Sequence, residues 1–374
     1  MLRSIVGCLV GRPTTAIIQE MCNQMNDVNA SGLKTVGTEP YVGETPQAAL
    51  GRWVTPNSLF YVRSQFDYPE IDESSWRLKL DGAGSQEMTL SLDELKQLPK
   101  RTLTVTLECA GNNRGDLNPP APGNQFSNGA VSNATWSGTS LSSVLSKMDL
   151  SKGVVEILFE GADIGSPAAD KDPEPYLRSL PLELARHPDT LLAYEMNGET
   201  LPLEHGYPIR LIIPGWYGMA HVKWISKITA ITEPYYGTFQ GEKYVFKYED
   251  GTERPVQEMQ VKSTITSPGE NESLKCCTDY RISGSAWSGR TDIAKVEVSV
   301  DCGNSWHEAE LTGPSEQYAW QQWNYKWHPN TLGEHTLLSR ATNSDGEQQP
   351  LESVWNELGY AVNGSKPTKI TVSS

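Results

Sequence analysis

The sequence predicts an α+β domain followed by an all-β sandwich, and two changes of texture carry that expectation. Up to about residue 245, short helical patterns lie among strands without a regular βαβ rhythm. Beyond about residue 250 helical signals nearly vanish and short alternating segments take over, with Trp287, Trp306, Trp320, Trp323, Trp327 and Trp355 as large core or interface side chains. A chain of 374 residues exceeds what one core usually organises, and 37% hydrophobic residues suffices for two cores. The expected division is an N-terminal extension at 1–28, a first domain at 29–245 and a second at 246–374.

Met1-Leu2-Arg3 and "SIVGCLVG", broken by Arg12-Pro13, make a poor secretory signal, which favours the cytoplasm over the periplasm or mitochondrion. "AIIQEMCNQM" reads as a short amphipathic helix, and nothing downstream approaches the roughly 20 apolar residues of a membrane span. Residues 29–50 are polar and rich in Gly and Pro, an extended lead-in segment. "SLFYVRSQF" reads as a strand, "WRLKLDG" alternates toward a turn at Asp81-Gly82, and "SLDELKQL" is a Ser-capped short helix. In "RTLTVTLEC" the residues Leu103, Val105, Leu107 and Cys109 share one parity and would face one side of a strand. "SLSSVLSKM" and "LPLELARH" are helical, "DTLLAYEM" and "YPIRLIIP" are interior strands, and Asn197-Gly198 is a hairpin turn. In "KVEVSVDCGNSW" the residues Val296, Val298, Val300 and Cys302 would face one way.

A formal net charge of -15 without a long basic run excludes a nucleic-acid binder. A small anionic substrate would therefore need a local cluster of arginines, while the acidic exterior suits a basic protein partner. The cysteines at 8, 22, 109, 276, 277 and 302 form no CxxC pair and no regular framework, so neither structural zinc nor a disulfide scaffold is indicated. Cys276-Cys277 reads as two ordinary packed thiols. Cys109 lies where a strand gives way to glycine, asparagine and proline. On the residues alone it is a core thiol, a nucleophile with His205 or His221 as base, or a metal ligand.

"ECAGNNRG" resembles the cysteine motif of the sulfite oxidase family of molybdenum enzymes. "TPNSLFYVRSQFDYPEI", "NGAVSNATWSGTSLSSVL", "FEGAD" and "LLAYEMNGETLPLEHGYPIRLIIPGWYGMAHVKWISKI" resemble further family blocks in the same order. The tail, with "SAWSGRTDIAKVEVSVDCGNSW", is similar to the family's immunoglobulin-like dimerisation domain. The resemblance spans nearly the whole chain. It implies a Mo-molybdopterin cofactor with Cys109 as the thiolate on the metal. It places Tyr61, Val62, Arg63, Ser64, Gln65, Asp163, His205, Arg210, His221, Val222 and Lys223 around that cofactor, with Arg210 and Lys223 on its phosphate. Arg63 and Arg114 would hold an oxyanion beside the metal, with Tyr244 as the active-site tyrosine. Each has a plainer reading: Arg210 paired with a surface carboxylate, Asp163 capping a turn, Tyr244 packed in a core.

The implied activity is oxygen-atom transfer from a homodimer, oxidising sulfite to sulfate and passing electrons to cytochrome c or oxygen. No haem segment is expected ahead of the first domain, because the first fifty residues lack a suitable pair of histidines. Three departures from the family pattern bear on substrate. Gln65 stands where the animal and plant enzymes have histidine, Leu358 lies where they present an arginine, and Phe126 is the closest aromatic to their pocket tryptophan, with Arg290 a candidate to compensate. A different substrate, including an S-oxide to be reduced, is the alternative within this family. Outside it stand a metal-free cysteine hydrolase using Cys109 with His205, and an adhesion module made of residues 250–374.

Overall fold

Strands dominate the molecule, and its helices are short. The computed structural model describes residues 32–150, 153–248 and 251–374, of which Leu33–Ser374 form one compact unit. The helix expected in "AIIQEMCNQM", with Cys8 and Cys22, lies outside the described residues. No described helix is long and apolar enough to cross a membrane.

The lead-in segment forms an antiparallel hairpin of β1 (Lys34–Thr38) and β2 (Tyr41–Glu44). The chain then lays down β3 (Leu78–Gly82), β4 (Met88–Leu90), β5 (Lys100–Glu108), β6 (Val131–Ser140), β7 (Glu156–Gly165), β8 (Glu174–Pro181), β9 (Leu191–Met196), β10 (Glu199–Thr200), β11 (Arg210–Ile212) and β12 (Ile225–Ile231). These strands sort into two sheets. One has the order β4-β3-β12-β7-β8, and the other runs β10-β9-β6-β5 with β11 beside β9.

The expected helices form at Leu92–Lys96, Leu141–Leu145 and Leu182–Ala185. The first carries a capping box: Ser91 accepts from the Glu94 N–H, and the Glu94 carboxylate accepts from the Ser91 N–H. Asn197 and Gly198 adopt φ of 54° and 80°, the left-handed pair that a two-residue hairpin turn between β9 and β10 needs.

Three local expectations differ from the structure. "SLFYVRSQF" contributes a 3₁₀ turn at Asn57–Leu59 and then extended chain with a single bridge, Gly43 to Val62. Its backbone is satisfied piecemeal, the Tyr61 N–H by Ser132 Oγ and the Val62 N–H by the Gly43 carbonyl, while its side chains line a pocket. The turn placed at Asp81-Gly82 falls at Ala83 and Gly84, because β3 stays paired with β12 through Gly82. Cys302 does not continue the valine row of its strand, which ends at Ser299. There Asp301 accepts from Ser299 Oγ, the Ser305 N–H and Ser305 Oγ, which turns the chain and leaves Cys302 exposed at φ 62°.

After a hairpin of β13 (Val245–Lys247) and β14 (Glu253–Pro255) come β15 (Lys262–Ser267), β16 (Ser273–Lys275), β17 (Tyr280–Trp287), β18 (Ile293–Ser299), β19 (His307–Glu308), β20 (Glu310–Thr312), β21 (Gln321–Trp327), β22 (Gly333–Asn343) and β23 (Thr368–Ser373). Their sheets, β15-β17-β21-β20 and β16-β23-β22-β18-β19, share one apolar core, the expected sandwich. Trp323 and Trp327 fill it, whereas Trp287 and Trp320 pack into the core of the preceding sheets. The free edge of β5 is covered from this side: the Thr106 N–H donates to the Tyr318 carbonyl, and Thr106 Oγ1 accepts from the Trp320 N–H.

Candidate functional site

Cys109 is the first residue after β5, whose Val105 and Leu107 are buried in the row below it, so the sulfur closes an apolar face as its parity predicts. The loop that follows is held firmly. The Cys109 N–H donates to the Ala130 carbonyl at 2.8 Å, and Asn112 joins Glu108 Oε1 to the Ala130 N–H.

One pocket, with about 690 Å³ of empty volume, opens above the sulfur. It gathers Tyr61, Arg63, Ser64, Gln65, Cys109, Asp163, His205, Arg210, His221, Lys223 and Tyr244 from segments far apart in the chain. Val62 and Val222 do not line it: Val62 is buried on the bridge to Gly43, and Val222 belongs to the core. Arg114 also sits outside the lining. Its Nε donates to the carbonyls of Leu358 and Gly359, Nη1 donates to that of Asn124, and its Cζ stands 5.0 Å from the Tyr360 ring centre. Phe60, Leu107, Tyr176, Glu204, Gly218, Met219 and Trp224 complete the wall. Gly218 is there for space, since a β-carbon would stand 2.5 Å from the Tyr61 hydroxyl.

The end nearest Cys109 is built for an anion. Arg63 Nη2 donates to Gln65 Oε1 at 3.1 Å, which leaves the Gln65 amide nitrogen to donate to the Tyr244 hydroxyl. Burial pushes the Cys109 thiol up, against the pull of the Gly111 N–H, Arg63 and Arg114, and burial likewise pushes Tyr244 up so that its hydroxyl keeps its proton.

Two cations, Arg210 and Lys223, crowd the opposite end. Arg210 is buried under Trp136, donates to the carbonyls of His205 and His221, and has no partner for Nε. Lys223 Nζ donates to Ser64 Oγ at 2.6 Å and to the Glu204 carbonyl at 2.9 Å. Burial pulls Arg210 down to about 10 and Lys223 down as well, with the Arg210 charge adding to the fall of Lys223 while Asp163 and Glu204 oppose it, and burial pushes Asp163 up beside Lys223. A buried guanidinium with an idle N–H is costly unless an anion meets it. The donor set therefore fits a group with a phosphate at one end and a soft metal at the other, where the thiol supplies one ligand.

The two histidines are not bases for the thiol. His221 Nδ1 accepts from the Ile213 N–H while Nε2–H donates to the Trp216 carbonyl, and His205 Nε2–H donates to the Asn57 carbonyl. Burial holds both near pKa 3 against an ordinary 6.5, so both are neutral at physiological pH. Each favours the folded state above pH 6.5 and opposes it as pH falls toward 3, because the unfolded chain binds the proton first; the slope is about 1.4 kcal/mol per pH unit per histidine. Asp163, pushed upward, acts with the opposite sign. Urea unfolding between pH 6.5 and 4.5 should thus show a shallower pH slope for His205→Gln than for wild type, by about one proton. Parallel slopes would show that His205 is charged in the folded protein.

The departures from the family pattern resolve into geometry. Gln65 bridges Arg63 and Tyr244, Leu358 offers only its carbonyl to Arg114, Phe126 is buried in the core away from the pocket, and Arg290 pairs with Glu258. Tyr360, unmarked in the sequence, stacks 5.2 Å from Tyr244.

Comparison with known proteins gives the family and the fold. A family model described as oxidoreductase molybdopterin binding domain matches residues 65–239, and one described as Mo-co oxidoreductase dimerisation domain matches residues 253–372. The mitochondrial sulfite oxidase of Rattus norvegicus is 34% identical over 88% of this chain and 64% of its own length, and the sulfite oxidase of Arabidopsis thaliana is 32% identical over 87% and 91%. The chain thus spans just under two thirds of the rat protein. The sulfane dehydrogenase SoxCD from Paracoccus pantotrophus has the same fold, with a TM-score of 0.78 at 27% identity, over 98% of this chain and 92% of that one. The chain belongs to the sulfite oxidase family of molybdopterin-dependent oxidoreductases.

Proposed function

We propose that this chain oxidises sulfite to sulfate as a homodimer and hands the electrons to an external acceptor, cytochrome c or oxygen. The observation that carries the reading is one pocket with a thiol and an Arg63–Gln65–Tyr244 network at one end and Lys223 and the unpaired Arg210 at the other. In the balance SO₃²⁻ and water give SO₄²⁻, two protons and two electrons.

Molybdopterin, when bound, supplies the oxygen-atom transfer and stores the electrons. The chain supplies position and charge. Arg210, Lys223 and Ser64 would take the cofactor's phosphate; His205, neutral and with Nε2–H already donated, keeps Nδ1 as an acceptor for a polar pterin edge. His221 has both ring nitrogens on the main chain, so it shapes the wall around Arg210 rather than binding through its ring. Arg63 and the protonated Tyr244 hydroxyl orient the oxyanion, and Arg114, held by the 358–360 segment, adds charge from behind the loop.

The hydrolase reading lacks its base, since the charges acting on Cys109 come from Arg63, Arg114 and Glu108. A less charged sulfur substrate is the second reading, favoured by Leu358 in place of a cation beside Arg114. Protein purified from a host that makes the cofactor should contain stoichiometric molybdenum and reduce cytochrome c or ferricyanide when sulfite is added. Molybdenum without sulfite turnover would discard the substrate, and absence of both metal and pterin would end the proposal.

A further inference from the structure

Arg178 is an arginine that the site as described leaves without a task. It lies on β8, buried to 3% exposure, and two residues earlier on the same strand face Tyr176 lines the pocket. Its Nη1 donates to the Phe239 carbonyl, its Nε has no partner, and its Cζ stands 6.0 Å from the ring centre of Tyr244. The titratable groups that act on it are tyrosines 176, 244, 235 and 360, all held in their neutral form by burial, and the ion-paired arginines among the described residues are Arg101, Arg290 and Arg340. A guanidinium shut away from water with an unmet N–H and no carboxylate is unstable on its own account. It needs an anion that arrives. The phosphate end is served by Arg210 and Lys223, whereas Arg178 adjoins the Tyr244 end.

We infer that Arg178 is the third guanidinium of the oxyanion site, entering from β8 beside Tyr244 and supplying the charge that Leu358 does not. This rests on the reading that the pocket takes a small sulfur oxyanion next to Cys109. Arg178 then sets affinity for the oxyanion more than the rate of its conversion, because it acts on bound substrate and product through their shared charge.

The test compares Arg178→Met and Arg178→Lys with wild type as molybdenum-loaded holoproteins, titrated calorimetrically with sodium sulfate and assayed with sulfite. Arg178→Met should raise the sulfate Kd and the sulfite KM by roughly 10- to 100-fold, the worth of one charge-assisted hydrogen bond, with kcat changed by less than about threefold. Arg178→Lys, which keeps the charge but not the planar fork, should bind sulfate more tightly than Arg178→Met and less tightly than wild type. Unchanged sulfate binding in Arg178→Met overturns the inference, and so does a wild-type holoprotein that binds no sulfate. Equal loss in both variants with a lowered melting temperature also overturns it, by assigning Arg178 to support of the Phe239 turn. Wild type that binds sulfate without oxidising sulfite would end the sulfite reading while the Arg178 comparison still decides this one.

Discussion

Cys109→Ser is expected to lose sulfite-dependent reduction of cytochrome c by more than about 100-fold, beyond the 10- to 100-fold typical of an outer-shell partner, while its pterin content and melting temperature stay near wild type. The thiol is the one side chain of the pocket that can become a soft anionic donor, since the other sulfur, in Met219, is a neutral thioether. A hydroxyl is a harder and weaker donor that does not ionise at neutral pH, so the metal would lose its protein ligand. The fold has little at stake. The apolar row of β5 ends at Leu107, and the loop after it is held by the backbone of residue 109, by Asn112 and by Glu108. Pterin would stay because Arg210 and Lys223 are untouched. Metal analysis, pterin fluorescence after oxidation and turnover should therefore separate: turnover lost, pterin kept. A serine variant that turns over like wild type would remove Cys109 from the reaction.

What could be read from the sequence follows how local each feature is. The Cys109 row was legible because strand parity is set by adjacent residues, and the Asn197-Gly198 turn because two left-handed residues suffice to make it. "SLFYVRSQF" misled because its alternation is that of a strand, although the pattern arises from side chains dividing between core and pocket while the backbone finds only one bridge. Arg178 and Tyr360 carried no local mark: one sits inside an ordinary strand, and the other reaches Tyr244 from 116 positions away by numbering, through the fold of the C-terminal segment. The individual chemistry of Arg210 was visible as a charge in an apolar run, but its want of a counter-ion exists only in three dimensions.

The buried pair next to the thiol belongs to the same class, and it yields the largest expected loss of stability. Lys262 Nζ meets Glu108 Oε1 at 2.8 Å with side-chain exposures of 4% and 2%, across a sequence separation of 154. Glu108 also accepts from Asn112 Nδ2 and from Trp287 Nε1, and Lys262 donates to the Val362 carbonyl. The sandwich strands β15 and β17 thereby grip the residue that precedes Cys109. Lys262→Met would leave a carboxylate out of water with two neutral donors, a loss of about 3–5 kcal/mol, which at this size lowers the melting temperature by on the order of 10 °C. Adding Glu108→Gln should recover part of that loss, because the double variant buries no uncompensated charge, while its single amide oxygen replaces only one of the two carboxylate oxygens that accept from Asn112 and Trp287. The single variant should also load less molybdenum than the double, since its disturbance lies one residue from the thiol. A Lys262→Met protein that melts with wild type would mean that the ion pair adds nothing to stability, and that the grip on the cysteine loop comes from Trp287 and Asn112 alone.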